Sequence, residues 1–248
     1  MSFNFEVFFR ALLSPTYLWG AVVAVTLATL VQVAAIIIGF VISLGRDSPN
    51  RIARGATSAY VWIFRAIPAL LILILVWNAL PQVVPVLKQA WFTPYMAAFV
   101  GLTLLEAALM TEIIRSAKSA VPPGQQLAAR AIGLKPWNVY RYVLIPQMVR
   151  VAIPPTGNQY INMVKMTSLA SVISLQELLY TAQQNVSMTF SYAEYYSAAA
   201  VYYLVIVSAF MLLQSKVEKR YSWVSKLPRR LRTFPGRSFA KTTQGVEK

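Results

Sequence analysis

Residues 19–44 run for 26 positions without a charged side chain. A helix needs about 20 apolar residues to cross the hydrocarbon core of a bilayer, and in lipid only a helix or a closed barrel satisfies every backbone polar group. One such run already sets the chain apart from ordinary soluble domains. The whole sequence agrees: 57% of its 248 residues are hydrophobic and 12% charged, a membrane composition. With no Cys and no His, disulfides, thiolate catalysis, imidazole relays and the commonest zinc sites are excluded. No Gly-x-x-x-x-Gly-Lys-Ser/Thr occurs, so ATP phosphates find no cradle here and nucleotide hydrolysis falls to another chain.

Four further apolar runs follow, at residues 59–80, 95–114, 151–175 and 195–213. Pro68 interrupts the first of them and kinks it. The run at 151–175 is the most polar, carrying Pro154, Pro155, Asn158, Gln159, Asn162, Lys165, Thr167 and Ser168, and such residues at membrane depth face a bundle interior or a wet cavity. Small residues Ser197 to Ala200 open the last run and allow close packing. The expected architecture is an all-α polytopic membrane protein of five spans. Residues 1–18, which lack the pattern of a signal peptide, form an external segment; residues 19–215 form the transmembrane domain, with residues 115–150 as its longest internal loop; residues 216–248 form a basic tail.

Charge orients it. The net charge of +15 does not imply nucleic acid, because ten of the 23 Lys and Arg lie from Lys216 onward. With the N-terminus outside, inner loops and tail carry three, six and ten basic residues, and the outer segments one, one and none. That is the positive-inside bias, and it places residues 115–150 and the tail in the cytoplasm.

Within that loop, residues 121–150 read as two short helices. Pro122, Pro123 and Gly124 break what precedes; residues 125–132 are good helix formers closed by Gly133; Pro136 opens the second helix. A helix this short is marginal alone. Leu127, Ala128, Ala131 and Ile132 give it one narrow apolar face, suited to a groove in another protein.

Gly124-Gln125, Ala128-Ala129, Gly133-Leu134 and Ile145-Pro146 resemble the EAA loop of ABC-importer permeases, and the flanking sequence is similar to the polar amino acid branch of that family. The resemblance covers residues 19–220 and implies the type I ABC-importer permease fold in a bacterial inner membrane. It also implies that Gly124, Leu127, Ala128, Ala129, Gly133, Leu134 and Pro136 dock onto a dimeric ATPase that binds ATP and Mg. A second permease subunit, identical or related, completes the path, and an external solute-binding protein delivers an amino acid. Leu127 stands where the family has Glu, Met166 where it has Asp or Asn, and Leu105 and Leu109 where it often has Asn and Tyr.

Glu106 and Lys165 fall near the middle of their runs, where a charge costs about 2.5 to 3.5 kcal/mol on the insertion scale. Either they pair and tie two helices together, or they face a cavity. In the cavity Glu106 meets the cationic group of a substrate and Lys165 a carboxylate. Leu105, Leu109, Asn158, Gln159, Thr167 and Ser168 complete the candidate path; for Asn158, Gln159 and Thr167 the alternative is interhelical hydrogen bonding. Glu112 and Arg115 read as a surface pair. The cargo class extends to an opine, a sulfur amino acid or another zwitterion. An ion-coupled carrier or channel, the reading from another class, has no use for a docking helix, and a plain membrane anchor has none for polar residues at depth.

Overall fold

The computed structural model describes residues 3–221. Among them the elements are helical. Helix α1 (Phe5–Leu12) starts on Asn4, whose side chain accepts from the N–H groups of Glu6 and Val7, as an N-cap should. It turns Ala11 inward and is fastened to the last helix: Asn4 N–H donates to Glu194 at 2.8 Å and the Tyr202 hydroxyl to the Leu12 carbonyl at 2.8 Å. Helix α2 (Pro15–Arg46), capped by Ser14 with Pro at its first turn, is the longest in the described chain at 32 residues.

Pro68 does more than kink the second apolar run. Helix α3 (Arg51–Ala66) ends before it and α4 (Ala69–Ile74) leaves at 105°. Pro at 68 pushes Ile67 out of the helical region, and Ile67 is extended at ψ 132°. A π-helical turn, Leu75–Ala79, leads from α4 into α5 (Leu80–Val83). The same device recurs at Tyr140–Leu144. Each precedes a proline by a short distance, Pro81 and Pro146. A proline ring collides with the carbonyl four residues back and offers no N–H; a widened turn absorbs both faults.

Helix α6 (Pro94–Ser119) lies along α2. A β-carbon on Gly39 would stand 2.8 Å from Met110 Cβ and 3.0 Å from the Ala107 carbonyl, and the Thr111 hydroxyl donates to Ala107 at 2.7 Å and across to Gly39 at 3.3 Å. The two backbones touch because nothing separates them. Gly39→Leu is therefore expected to cost about 1–3 kcal/mol by overpacking, read as a lowered unfolding temperature in detergent. Gly55→Leu on α3 is the control, because nothing lies within 4 Å of that position.

Helices α7 (Pro123–Ala131) and α8 (Pro136–Val139) form the internal loop, and α9 (Ile145–Met166) passes into a 3-10 stretch, Thr167–Ile173. Helices α10 (Leu178–Thr189) and α11 (Tyr192–Tyr221) complete the described chain. The largest core joins Leu27 and Val31 of α2, Leu73 of α4, Leu102 of α6, and Met163 and Ile173. A second core joins Ala11, Tyr17, Leu178, Ala182, Ala198 and Ala199, so the small residues at the start of α11 are indeed where helices meet.

Three helices, α2, α6 and α11, are long and apolar enough to cross a bilayer, and α3 with the bent α4–α5 segment makes a fourth if counted as one broken span. Helix α9 does not reach that standard, its apolar residues being diluted by Asn, Gln, Lys and Arg. Several sequence boundaries shift. Helix α6 runs past Glu112 and Arg115, α9 begins at Ile145 rather than 151, and α11 continues through Lys216 to Tyr221. Charge ends an apolar run, but the backbone ladder continues where ion pairs or water receive the side chains. Residues 3–18, the described part of the expected external segment, are built into the bundle through α1 and the start of α2. The tail from residue 222 lies outside the described residues.

Candidate functional site

The sequence placed Glu106 at depth, and on α6 it is fully buried. Its partner is not Lys165. The Gln159 side chain of α9 donates to Glu106 Oε2 at 3.5 Å, while Oε1 meets no donor among the described residues. Asn162 in turn donates to Gln159 at 3.3 Å. The acid therefore sits at one end of a chain of amides. Thr103 Oγ1, one turn along α6, and Gln32 Oε1 on α2 are likewise buried without a hydrogen-bond partner; the Gln32 amide donates only to Met110 Sδ, at 3.3 Å. Unanswered buried polar atoms cost about 1–3 kcal/mol each, and no hydrogen bond among the described residues offsets that cost at these three positions.

Lys165 is exposed, forms no ion pair among the described residues, and lies in the last turn of α9 rather than halfway along a helix. It belongs to a stripe. Val151, Pro155, Asn158, Asn162 and Lys165 are all exposed, and steps of four and three residues keep them on one helix face. The amide end of Asn158 is partly engaged, accepting from Gln214 of α11 at 3.1 Å. Thr167 and Ser168 turn back on their own helix, donating to Val164 at 2.8 Å and Lys165 at 2.7 Å. Leu105 and Leu109 pack on the main core. Of the candidate path residues, the fold thus brings Glu106 and Gln159 together and sets Asn158 and Lys165 on the adjoining open face.

At the other candidate element, α7 ends in a closed cap. Leu134 N–H donates to Ala129 at 3.2 Å and Gly133 N–H to Arg130 at 2.9 Å, with Gly133 at φ +84°. That is the Schellman arrangement, and only glycine enters it without strain. Ala129, 5% exposed, is the face that holds α7 to the body, within a cluster of Ala117, Val121, Val139, Leu144 and Met148. The apolar face read from sequence points the other way: Ala128 and Ala131 are exposed, and Leu127 and Ile132 are 67% and 78% exposed, with Trp137 beside them at 68%. Gly124 and Pro136 are exposed as well.

Three features escaped the sequence. Glu112 pairs with Arg46 of α2 as well as with Arg115. Asp47 pairs with Lys118. Glu177 caps α10, accepting from Leu179 at 2.9 Å and Tyr180 at 2.7 Å, and takes the Tyr203 hydroxyl at 2.8 Å. Burial pushes the Glu177 carboxyl above its ordinary value, against the pull of those donors. A signal for the last existed: an acid directly before a helical run, in a segment without Lys or Arg, is an N-cap.

Bilayer-length helices enclosing an acid, an open polar stripe beside it and a short helix with its apolar side bare define a helical membrane transport protein. Residues 33–223 match the family described as "Binding-protein-dependent transport system inner membrane component", and the chain belongs to that family. It is similar to the "Probable amino-acid permease protein YxeN" of Bacillus subtilis (strain 168), 32% identical over 208 residues, 84% of this chain and 92% of that one. It is also similar to the "Glutamine transport system permease protein GlnP" of Escherichia coli (strain K12), 29% identical over 220 residues, 89% of this chain and 98% of that one. Among solved structures, the "Crystal structure of an amino acid ABC transporter with histidines" matches with a TM-score of 0.80 at 30% identity, over 89% of this chain and all of that one. The fold is the type I ABC permease fold, and the chain is a multi-pass permease subunit of the inner membrane rather than an enzyme.

Proposed function

We propose that this chain is the membrane half of an ATP-driven amino acid importer and that its cargo is a cationic or zwitterionic amino acid. The observation that carries this reading is the buried Glu106–Gln159 contact, linked through Asn162 to the exposed stripe of Asn158, Asn162 and Lys165. An acid on one side and a lysine on the other match the two ends of an amino acid. Polar residues on a membrane helix demand water or protein beside them, so the stripe faces a path completed by a second permease subunit, identical or related. The chain crosses the membrane five times, α9 with its 3-10 extension being the polar fourth span, and its N-terminus is outside. The relatives named above are described as carrying amino acids or glutamine, which supports the class of cargo.

Alternating access supplies the mechanism. ATP and Mg are bound by two ATPase subunits in the cytoplasm; their approach moves α7 through its bare face, and the spans swing to open the path outward to an external solute-binding protein. This chain binds and conducts. Since the sequence has no Cys, a single introduced cysteine is a unique handle for the orientation. At Gln126 it is expected to react with an impermeant maleimide only when the reagent reaches the cytoplasmic side, and at Gln184 of α10 only from outside. Labelling of the Gln126 site from the exterior would overturn the scheme.

A further inference from the structure

The end of α6 nearest the docking helix is tied to α2 by charge. Glu112 binds Arg46 in the last turn of α2 and Arg115 on its own helix, the latter at 3.1 Å. Three residues beyond Arg115, Lys118 binds Asp47, the residue that ends α2. The ammonium of Lys118 also lies 5.5 Å from the ring centroid of Tyr140, within reach of cation–π attraction. Tyr140 begins the π-turn that carries the chain from α8 into α9. Lys118 therefore touches three segments: the end of α2, its own α6, and the return from the docking loop.

Stability does not explain the arrangement. Half-exposed pairs contribute little, and a carboxylate at a helix C-terminus has the wrong sign for the helix dipole. Asp47 occupies that unfavourable place and faces Lys118. Two residues beyond Lys118 the helix is over, Pro122 opens α7, and Ala117 and Val121 pack in the same cluster as Ala129 of α7. Farther along, α2 and α6 are in backbone contact at Gly39, and Glu106 follows on α6.

Resting on the coupling role proposed above, we infer that Asp47, Lys118 and Tyr140 are positioning residues that transmit displacement of α7 into the α2–α6 pair. Glu112, between Arg46 and Arg115, holds the same joint nearly two turns deeper on α6. Without the link α7 moves and the spans do not follow.

The test uses the full transporter, this chain with its ATPases and binding protein, in proteoliposomes, and reads ATP hydrolysed per solute imported. Lys118→Met and Asp47→Asn are expected to raise that ratio about threefold or more, with assembly and ATP hydrolysis retained. Lys118→Arg keeps the charge and is expected to keep the ratio. The exchange Asp47→Lys with Lys118→Asp is expected to restore it towards wild type. An unchanged ratio in the single variants, or uptake and hydrolysis falling together with no recovery in the exchange, overturns the inference and leaves the ATP-driven reading standing. A wild-type chain that imports without ATP overturns both.

Discussion

Ile132→Asp is expected to abolish uptake, while the protein inserts and folds as the wild type does. Ile132 is 78% exposed, so the change removes no internal contact. The loss arises in the complex. Burying an isoleucine side chain contributes about 1.5–3 kcal/mol, and the variant forfeits this and also forces an unpaired carboxylate into an apolar groove, at several kcal/mol more. Together these weaken docking by about a thousandfold or more, since about 1.4 kcal/mol is tenfold. Leu127→Glu gives the contrast. It supplies the acid that the resemblance to the EAA loop implies at this place and is expected to leave uptake intact. Ala129→Glu also abolishes uptake, from the opposite face: it drives a charge between α7 and the Val139, Leu144 and Met148 cluster. Gly133→Asp adds left-handed strain of about 1 kcal/mol as well as a charge. Import by Ile132→Asp at the wild-type rate, with ATPase still co-purifying, removes the docking role of this face.

Glu106→Gln is expected to change which amino acid is carried. Glutamine keeps the shape and can keep a hydrogen bond to Gln159; only the charge goes. Hydrogen bonds to charged groups contribute about 1.5–3 kcal/mol, so arginine uptake falls about 10- to 100-fold relative to glutamine. Competition among labelled arginine, glutamine and glutamate, normalised to protein in the membrane, measures it. The variant is also expected to unfold at the same or a higher temperature, because a buried carboxyl costs more to desolvate than its amide isostere. Unchanged preference among the three amino acids sinks the role of Glu106 in selection, and lowered stability makes it a structural residue.

Much of this protein was legible before any coordinates. An uncharged run of 26 residues has one economical fate in a bilayer, and Pro122, Gly133 and Pro136 act on their own backbones, so the short helix α7 and its glycine cap could be read one residue at a time. Depth was legible too: Glu106 in an apolar run had to be buried. Partnership was not. Spacing along a chain cannot say that Glu106 meets Gln159 rather than Lys165, because that depends on how α6 and α9 are rotated against each other. It cannot say that Ala129 faces in while Leu127 and Ile132 face out, because that depends on which distant residues pack against the helix. Nor can it show Arg46 and Asp47 reaching α6 across more than sixty intervening residues. Local chemistry writes helices, breaks and membrane residence directly into the order of residues. Side-chain pairing between helices is settled only by packing, as at Gly39, where a backbone without a side chain lets α2 and α6 come together.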